Sequence, residues 1–257
     1  MSRDTNESRV VVVTGGAKGI GRATVAAFAA LGDRVVALGR DRAALQALGE
    51  SLGAAARFVE TRRCDVADEA AVHEVFSAIG RVDVLVNNAG VAESARLGRT
   101  TLESWERHFA VNATGAFLCT RAVLDGMRER DSGAVVTVAS TAGRVGAPYT
   151  AAYTASKHAA VGLMRAAAAE IAGTGVRVNA VCPTFVDTDM TRRSVENIMR
   201  STGRDEASSV AALERAAPLG RLLDPHEVAS CVVWLASPEA ASVNGQAIVL
   251  DGGGIQS

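Results

Sequence analysis

No cluster of metal ligands, no disulfide framework and no membrane-length apolar run is present in this chain of 257 residues. Its four cysteines, Cys64, Cys119, Cys182 and Cys231, stand far apart in apolar contexts. That is the setting of buried reduced thiols, because disulfide-rich folds and zinc sites use paired or closely spaced cysteines. The four histidines, His73, His108, His158 and His226, form no His-x-x-x-His or Cys/His pattern, so no metal is expected. A net charge of −1 leaves no basic footprint for nucleic acid or an anionic membrane. No apolar stretch approaches the roughly 18 residues needed to cross a bilayer. Residues 1–9 are polar and lack the apolar core of a secretory signal, so they are expected to be flexible and the protein cytoplasmic.

What is present is a regular alternation. With 48% apolar and 21% charged residues, the chain has the composition of a globular protein that buries one full core. β-Branched runs near 10–13, 34–38, 57–61, 83–86, 134–139, 176–181 and 246–250 predict strands. Helical spacing is found near 19–31, 41–52, 68–79, 102–129, 152–173 and 225–236. Strand and helix in turn imply an α/β fold: one doubly wound parallel sheet of about seven strands in a single domain over 10–257, with helices on both faces. Ligands of such sheets bind at the carboxyl ends of the strands, where Thr14, Asp65, Asn87, Ser140 and Pro183 fall. Only 184–217 departs from the rhythm. It is expected to form a substrate lid, with Val195, Ile198 and Met199 as one helical face that closes over the substrate.

Two motifs carry chemistry. Residues 10–21 read VVVVTGGAKGIG, a strand, a glycine-rich turn and the start of a helix. Gly15, Gly19 and Gly21 let backbone amides and the helix N-terminus approach a dinucleotide pyrophosphate. Far downstream, Ser140 is followed by Tyr153 and, one helical turn later, Lys157. Residues four apart share a helix face, so Tyr153 and Lys157 are expected in one site, where the lysine cation would lower the phenol pKa toward neutrality.

With Asp65-Val66, Asn87-Asn88-Ala89-Gly90, Asn112, Pro183 and Thr188 in order between and after these motifs, the chain resembles the short-chain dehydrogenase/reductase family over about residues 9–253. The resemblance implies a Rossmann-type fold and hydride transfer between a nicotinamide cofactor and a ketone or secondary alcohol. It implies Asn112, Ser140, Tyr153 and Lys157 as catalytic residues: Ser140 binding the carbonyl oxygen, Tyr153 transferring the proton, Lys157 holding the nicotinamide ribose, and Asn112 holding a water that links Lys157 to solvent. Cofactor contacts are expected from Gly15, Lys18, Gly19, Ile20, Gly21, Arg40, Asp65, Val66, Asn88, Ala89, Gly90, Tyr153, Lys157, Pro183, Val186 and Thr188. Asp65 would bind the adenine amino group or cap the helix that follows it.

Gly39 stands where NAD-preferring relatives usually carry Asp, and Arg40 and Lys18 offer cations to a 2′-phosphate, so NADP is expected, with NAD possible should Asp41 take that place. Ser140, Tyr149, Tyr153, Thr184 and Phe185 are expected at the substrate, in a mostly apolar pocket. Thr184 replaces the glycine usual after Pro183. The sequence is similar to bacterial 3-oxoacyl and polyketide ketoreductases. Dehydrogenation of a hydroxyacyl-CoA or a cyclic secondary alcohol is the alternative, and a non-catalytic dinucleotide-binding regulator the alternative of another class. By the same resemblance a homotetramer or homodimer is expected, paired through the long helices near 102–129 and 152–173.

Overall fold

The computed structural model describes residues 8–256. Seven parallel strands lie in the order β3-β2-β1-β4-β5-β6-β7. They are β1 Val10–Thr14, β2 Arg34–Gly39, β3 Val59–Arg63, β4 Val84–Asn87, β5 Gly133–Val138, β6 Val176–Pro183 and β7 Ala247–Leu250. The side-chain alternation of each strand divides the core into two halves. Val12, Val36, Leu38, Leu85 and Val135 point to one face, where Val72, Phe76, Leu118, Val123, Met164 and Ile171 meet them. Val11, Val13, Val35, Val84 and Val136 point to the other, against Val25, Phe28, Leu48, Val228, Val232 and Leu235. Both faces being covered explains why these strands read as unbroken apolar runs, each valine contributing about 1.5–3 kcal/mol when fully buried.

The helices of the first face are α3 Glu69–Ile79, α4 Leu102–Phe109, α5 Gly115–Glu129 and α6 Ala151–Glu170. Those of the second are α1 Gly19–Ala30, α2 Arg42–Ser51 and α9 Pro225–Leu235. The long helix expected over 102–129 is interrupted by a π-helical turn, Ala110–Thr114, which carries Asn112. Such turns insert one residue into the helical ladder and re-aim the side chains around it. Strand β3 starts two residues later than its pattern suggested, because a 3₁₀ turn takes Gly53–Phe58. The segment 184–217 forms two helices, α7 Asp189–Thr202 and α8 Glu206–Ala216.

Of the terminus expected to be flexible, residues 1–7 lie outside the described residues. Arg9 is anchored: its guanidinium donates to both carboxylate oxygens of Asp33, at 2.9 and 2.6 Å, and to the Ala236 carbonyl at 3.2 Å. No helix among the described residues is long and apolar enough to cross a membrane.

Candidate active site

Strand order reverses between β1 and β4, so their carboxyl ends open a crevice. The Thr14 hydroxyl accepts hydrogen bonds from the amides of Asn88 and Ala89, both at 3.0 Å, and the Asn88 side chain donates to the carbonyls of Thr14 and Gly15. These bonds lock the glycine-rich turn to the turn after β4. The approach demands glycine: Gly15 has φ +63°, and a Cβ there would lie 2.9 Å from the Ala89 Cα. A Cβ on Gly21 would lie 2.2 Å from the Gly15 carbonyl oxygen. Asn87 braces the next strand turn inward, its amide donating to the Thr120 hydroxyl at 2.9 Å while its buried Oδ1 has no partner among the described residues.

Helix α1 begins at this turn without a capping side chain and without an acidic residue in its first turn. Helices α2, α3, α4, α7, α8 and α9 are each capped by Asp or Thr. The first amides of α1 are thus left for an anion. Beside them a cleft of about 130 Å³ is lined by Gly15, Gly39, Arg40, Cys64, Asp65, Val66, Ala89, Gly90 and Val111. Uncapped amides, glycine walls and a cleft fit a dinucleotide.

The expected cofactor residues distribute around this cleft, with some changes. The Ile20 side chain packs into the second core half, so only its backbone faces the turn. Thr188 caps α7 and meets Gly19, where a Cβ would lie 2.9 Å from its Cγ2. Pro183 ends β6, and Val186 is buried and bridged to Leu223. Lys18 and Arg40 are not isolated cations. Lys18 is paired with Asp41 at 2.9 Å and Arg40 with Asp65 at 3.5 Å. Both pairs are exposed, so each is weak and readily exchanged for a phosphate. The helix cap expected of Asp65 belongs to Asp68, whose carboxylate accepts from Ala70 and Ala71. Asp65 instead accepts from the Ala67 amide at 3.1 Å.

Ser140 starts a 3₁₀ turn, Thr141–Gly143, that lies directly on α6: a Cβ on Gly143 would be 3.0 Å from the Lys157 carbonyl oxygen. This contact brings Ser140 to Tyr153, with which its hydroxyl is hydrogen-bonded. The Lys157 ammonium is buried, donates to the Val138 carbonyl at 2.9 Å and stands 5.8 Å from the centroid of the Tyr153 ring. The expected lowering of the phenol pKa is corrected. Burial pushes Tyr153 above its ordinary value, against the pull of the Ser140 hydrogen bond. The same desolvation brings Lys157 down to about 8.

Asn112 is buried and ties three elements. Its Oδ1 accepts from the Val91 amide at 2.8 Å, and its Nδ2 donates to the Val91 carbonyl at 3.0 Å and to the Ser156 hydroxyl at 2.9 Å. Both amide donors are therefore spent on protein. A Cβ on Gly90 would lie 3.3 Å from Asn112 Oδ1 and 3.6 Å from Lys157 Nζ, so the cleft and the lysine share a wall that only glycine leaves open.

The sequence pattern missed His108. It is fully buried, accepts from the Glu93 amide through Nε2 at 3.0 Å, and contacts the Ser104 carbonyl through Nδ1 at 2.6 Å. A carbonyl only accepts, so Nδ1 carries the proton and Nε2 is bare. The ring stands edge-on to Tyr153 at 6.4 Å. Its place four residues before Asn112 on one helical face was the available hint.

The substrate side differs most from expectation. A cavity of about 460 Å³ lies between the loop after β4, the segment 99–104, residues 149–152 and α7. Tyr149 lines it, at φ +65° and with its carbonyl accepting from the Ala95 amide at 2.8 Å. Thr184 and Phe185 do not line it; the Thr184 amide continues the β6–β7 ladder to the Leu250 carbonyl. The wall is polar rather than mostly apolar, with α7 contributing Arg193, Ser194, Glu196, Asn197 and Arg200. Of the apolar face expected to close over the substrate, Val195 is buried, Ile198 and Met199 are half-buried, and none of the three lines this cavity.

The site thus brings together a phenol, a hydroxyl hydrogen-bonded to it and a buried ammonium near a glycine-lined cleft, and known proteins share the fold that carries it. D-threitol dehydrogenase of Mycolicibacterium smegmatis is 38% identical over 251 residues, covering 96% of this chain and 93% of that protein. The 3-oxoacyl-(acyl-carrier-protein) reductase of Thermotoga maritima is 37% identical over 251 residues, covering 96% and 98%. The crystal structure of a single-substitution variant of actinorhodin polyketide ketoreductase with NADPH superposes with a TM-score of 0.92 at 36% identity, covering 96% of this chain and 97% of that one. Residues 9–198 match the family model of short chain dehydrogenases, and with the seven-stranded sheet and the glycine-rich turn this places the chain in the short-chain dehydrogenase family.

Proposed function

We propose that the protein is an NADP(H)-dependent oxidoreductase that interconverts a ketone and a secondary alcohol, in the manner of a 3-oxoacyl or polyketide ketoreductase. The observation that carries this reading is the meeting of Ser140, before the 3₁₀ turn, and Tyr153 and Lys157, on α6, with the Gly15–Gly90 cleft across the wall at Gly90. NADP(H) supplies the hydride when bound. Gly15, Gly19, Gly21 and the first amides of α1 would hold its phosphates, Arg40 and Lys18 its 2′-phosphate, Asp65 and Val66 the adenine side, and Asn88, Ala89, Gly90, Pro183, Val186 and Thr188 the rest of the path.

The chain's own residues handle the proton. Tyr153, whose burial favours the protonated phenol, gives its phenol proton to the carbonyl oxygen, and Ser140 steadies that oxygen by a hydrogen bond. Lys157, fixed by the Val138 carbonyl, lies close enough to the ring to favour the phenolate once the proton has left. Asn112 acts by position: it fixes Val91 behind the cleft and Ser156 beside Tyr153.

A cytoplasmic location agrees with four free cysteines. A homo-oligomer agrees with the exposed Leu102, Trp105 and Phe117 along α4 and α5. Oxidation of NADPH and of NADH, followed across 3-oxoacyl thioesters, cyclic ketones and short ketones, tests the reading. Turnover of the thioesters with NADPH is expected. Turnover of no carbonyl, or a tenfold preference for NADH, would overturn it.

A further inference from the structure

The cavity against α7 has a charge balance that proton transfer does not require. Three guanidiniums line it: Arg99, and Arg193 and Arg200 two helical turns apart on one stripe of α7. Among the described residues none of the three has an ion pair or a side-chain hydrogen bond. Their neighbour Arg192, which does not line the cavity, is paired with Asp187 and Asp189. Of the two carboxylates in the wall, Glu93 is already committed, ion-paired with Arg107 and accepting from the Ser104 hydroxyl at 3.0 Å. Glu196 alone stands against three arginines, so the cavity is net positive.

Its shape is held by the fold. The Asn197 amide donates to the Ser94 carbonyl at 3.1 Å and to the Ser94 hydroxyl at 2.6 Å, which pins the arginine stripe across the loop after β4. The cavity lies beside the chemistry without containing it: Ala151 and Ala152, the first residues of α6, line it, whereas Ser140, Tyr153 and Lys157 do not. The Glu93 amide, in its wall, donates to His108, whose ring meets the Tyr153 ring at 6.4 Å. On the proposed reading, a substrate with its carbonyl at Tyr153 would extend its other end toward this cavity.

We propose that the cavity is a recognition subsite for an oxyanion, phosphate, sulfonate or carboxylate, carried by the substrate at the end remote from its carbonyl and bound by Arg193, Arg200 and Arg99. Planar guanidiniums suit these groups because two parallel N–H donors match two oxygens. The proposal rests on the ketoreductase reading for the reacting end only. It ranks phosphate-bearing acyl thioesters and keto acids above neutral ketones and polyols, and binding there should weaken as salt rises.

The test is calorimetric titration of hexylphosphonate, with hexan-1-ol as the uncharged comparison, into the NADP⁺-saturated protein. For the double variant Arg193→Gln/Arg200→Gln the phosphonate Kd should rise about tenfold or more, the scale of lost charge-assisted contacts, with hexanol unchanged. Arg192→Gln, which leaves the cavity wall intact, should change neither. No phosphonate binding to wild type, an unchanged Kd in the double variant, or an equal loss in Arg192→Gln overturns the subsite. The source of the anion follows from KM values for 3-oxobutyryl-CoA, 7-oxooctanoate, whose carboxylate is remote from its ketone, and the uncharged N-acetylcysteamine thioester of 3-oxobutyrate. A rise confined to the first in the double variant assigns a carrier phosphate; a rise confined to the second assigns a carboxylate; an equal rise for all three overturns the subsite. Phosphonate binding that depends on the arginines, in a protein that reduces none of the three, keeps the subsite and sinks the ketoreductase reading.

Discussion

The proton-handling centre and the arginine-lined cavity are neighbours through Ala152 and Tyr153, yet they are built by opposite rules. At the centre, Asn112 and Lys157 are buried and their donors are engaged with Val91, Ser156 and Val138. An unpaired buried donor there costs about 1–3 kcal/mol, so the fold and the chemistry dictate the same geometry. In the cavity, Arg99, Arg193 and Arg200 are exposed. Water satisfies them at little cost, and each can change without disturbing the core. The first region therefore fixes a reaction class, and the second is free to fix a substrate.

The largest effect that can break this contrast is expected at Tyr153. Tyr153→Phe should lower kcat at least about a hundredfold, the size of a lost positioned proton transfer, while NADP(H) still binds. Near-normal turnover of the Phe variant would mean that the centre's geometry is structural only.

Next is the cofactor cleft, where exposed charges meet a built site. Arg40→Asp should weaken NADPH binding by more than about tenfold and leave or improve NADH, through loss of a charge-assisted contact and new repulsion. Dissociation constants for both cofactors measure it. Equal losses for the two would show that Arg40 serves Asp65 and not a 2′-phosphate.

A smaller effect isolates the burial of Lys157. Its folded-state pKa of about 8 lies below the ordinary lysine value of 10.5, so between these values the unfolded chain binds more protons and folding stability rises with pH. From pH 8 to 9 the wild type should gain about 1 kcal/mol relative to Lys157→Met, read from denaturant midpoints. The raised thiols and Tyr153 act oppositely at higher pH, which is why the window closes near 9. Parallel pH profiles for the two proteins would show an ammonium that is not desolvated.

The smallest effect is expected at Met199, which is half-buried and does not line the cavity. Met199→Ala should change KM less than about twofold for small and bulky substrates alike and lower stability by up to about 1 kcal/mol, as for a partly filled packing site. A rise in KM limited to bulky substrates would restore this face of α7 as a lid.

The contrast also explains what was legible in the sequence. Tyr153 and Lys157 were readable because helical spacing converts directly into a shared face, Ser140 through the family resemblance, and Gly15, Gly19 and Gly21 because other residues do not permit those approaches. The interruption at Ala110–Thr114 lies inside a stretch whose spacing predicts one helix over 102–129. His108 looked isolated because its partners, the Glu93 amide and the Tyr153 ring, come from distant parts of the chain. The apolar face of α7 is legible in the spacing of Val195, Ile198 and Met199, but what it packs against is set by tertiary structure, which buries Val195.

Local spacing and steric necessity were enough for the alternation of strands and helices, the glycine-rich turn and the Tyr153–Lys157 pair; the family came from the resemblance of these and the ordered motifs between them. Which charges are spent and which are free emerged only on folding. Lys18 with Asp41, Arg40 with Asp65 and Glu93 with Arg107 are partners across chain separations that no local pattern encodes, and they leave Arg193 and Arg200 open. The sign of the Tyr153 shift has the same origin. The chain spacing shows a cation four residues from the phenol, but the desolvation that raises Tyr153, opposed by the Ser140 hydrogen bond, comes from everything folded around the ring.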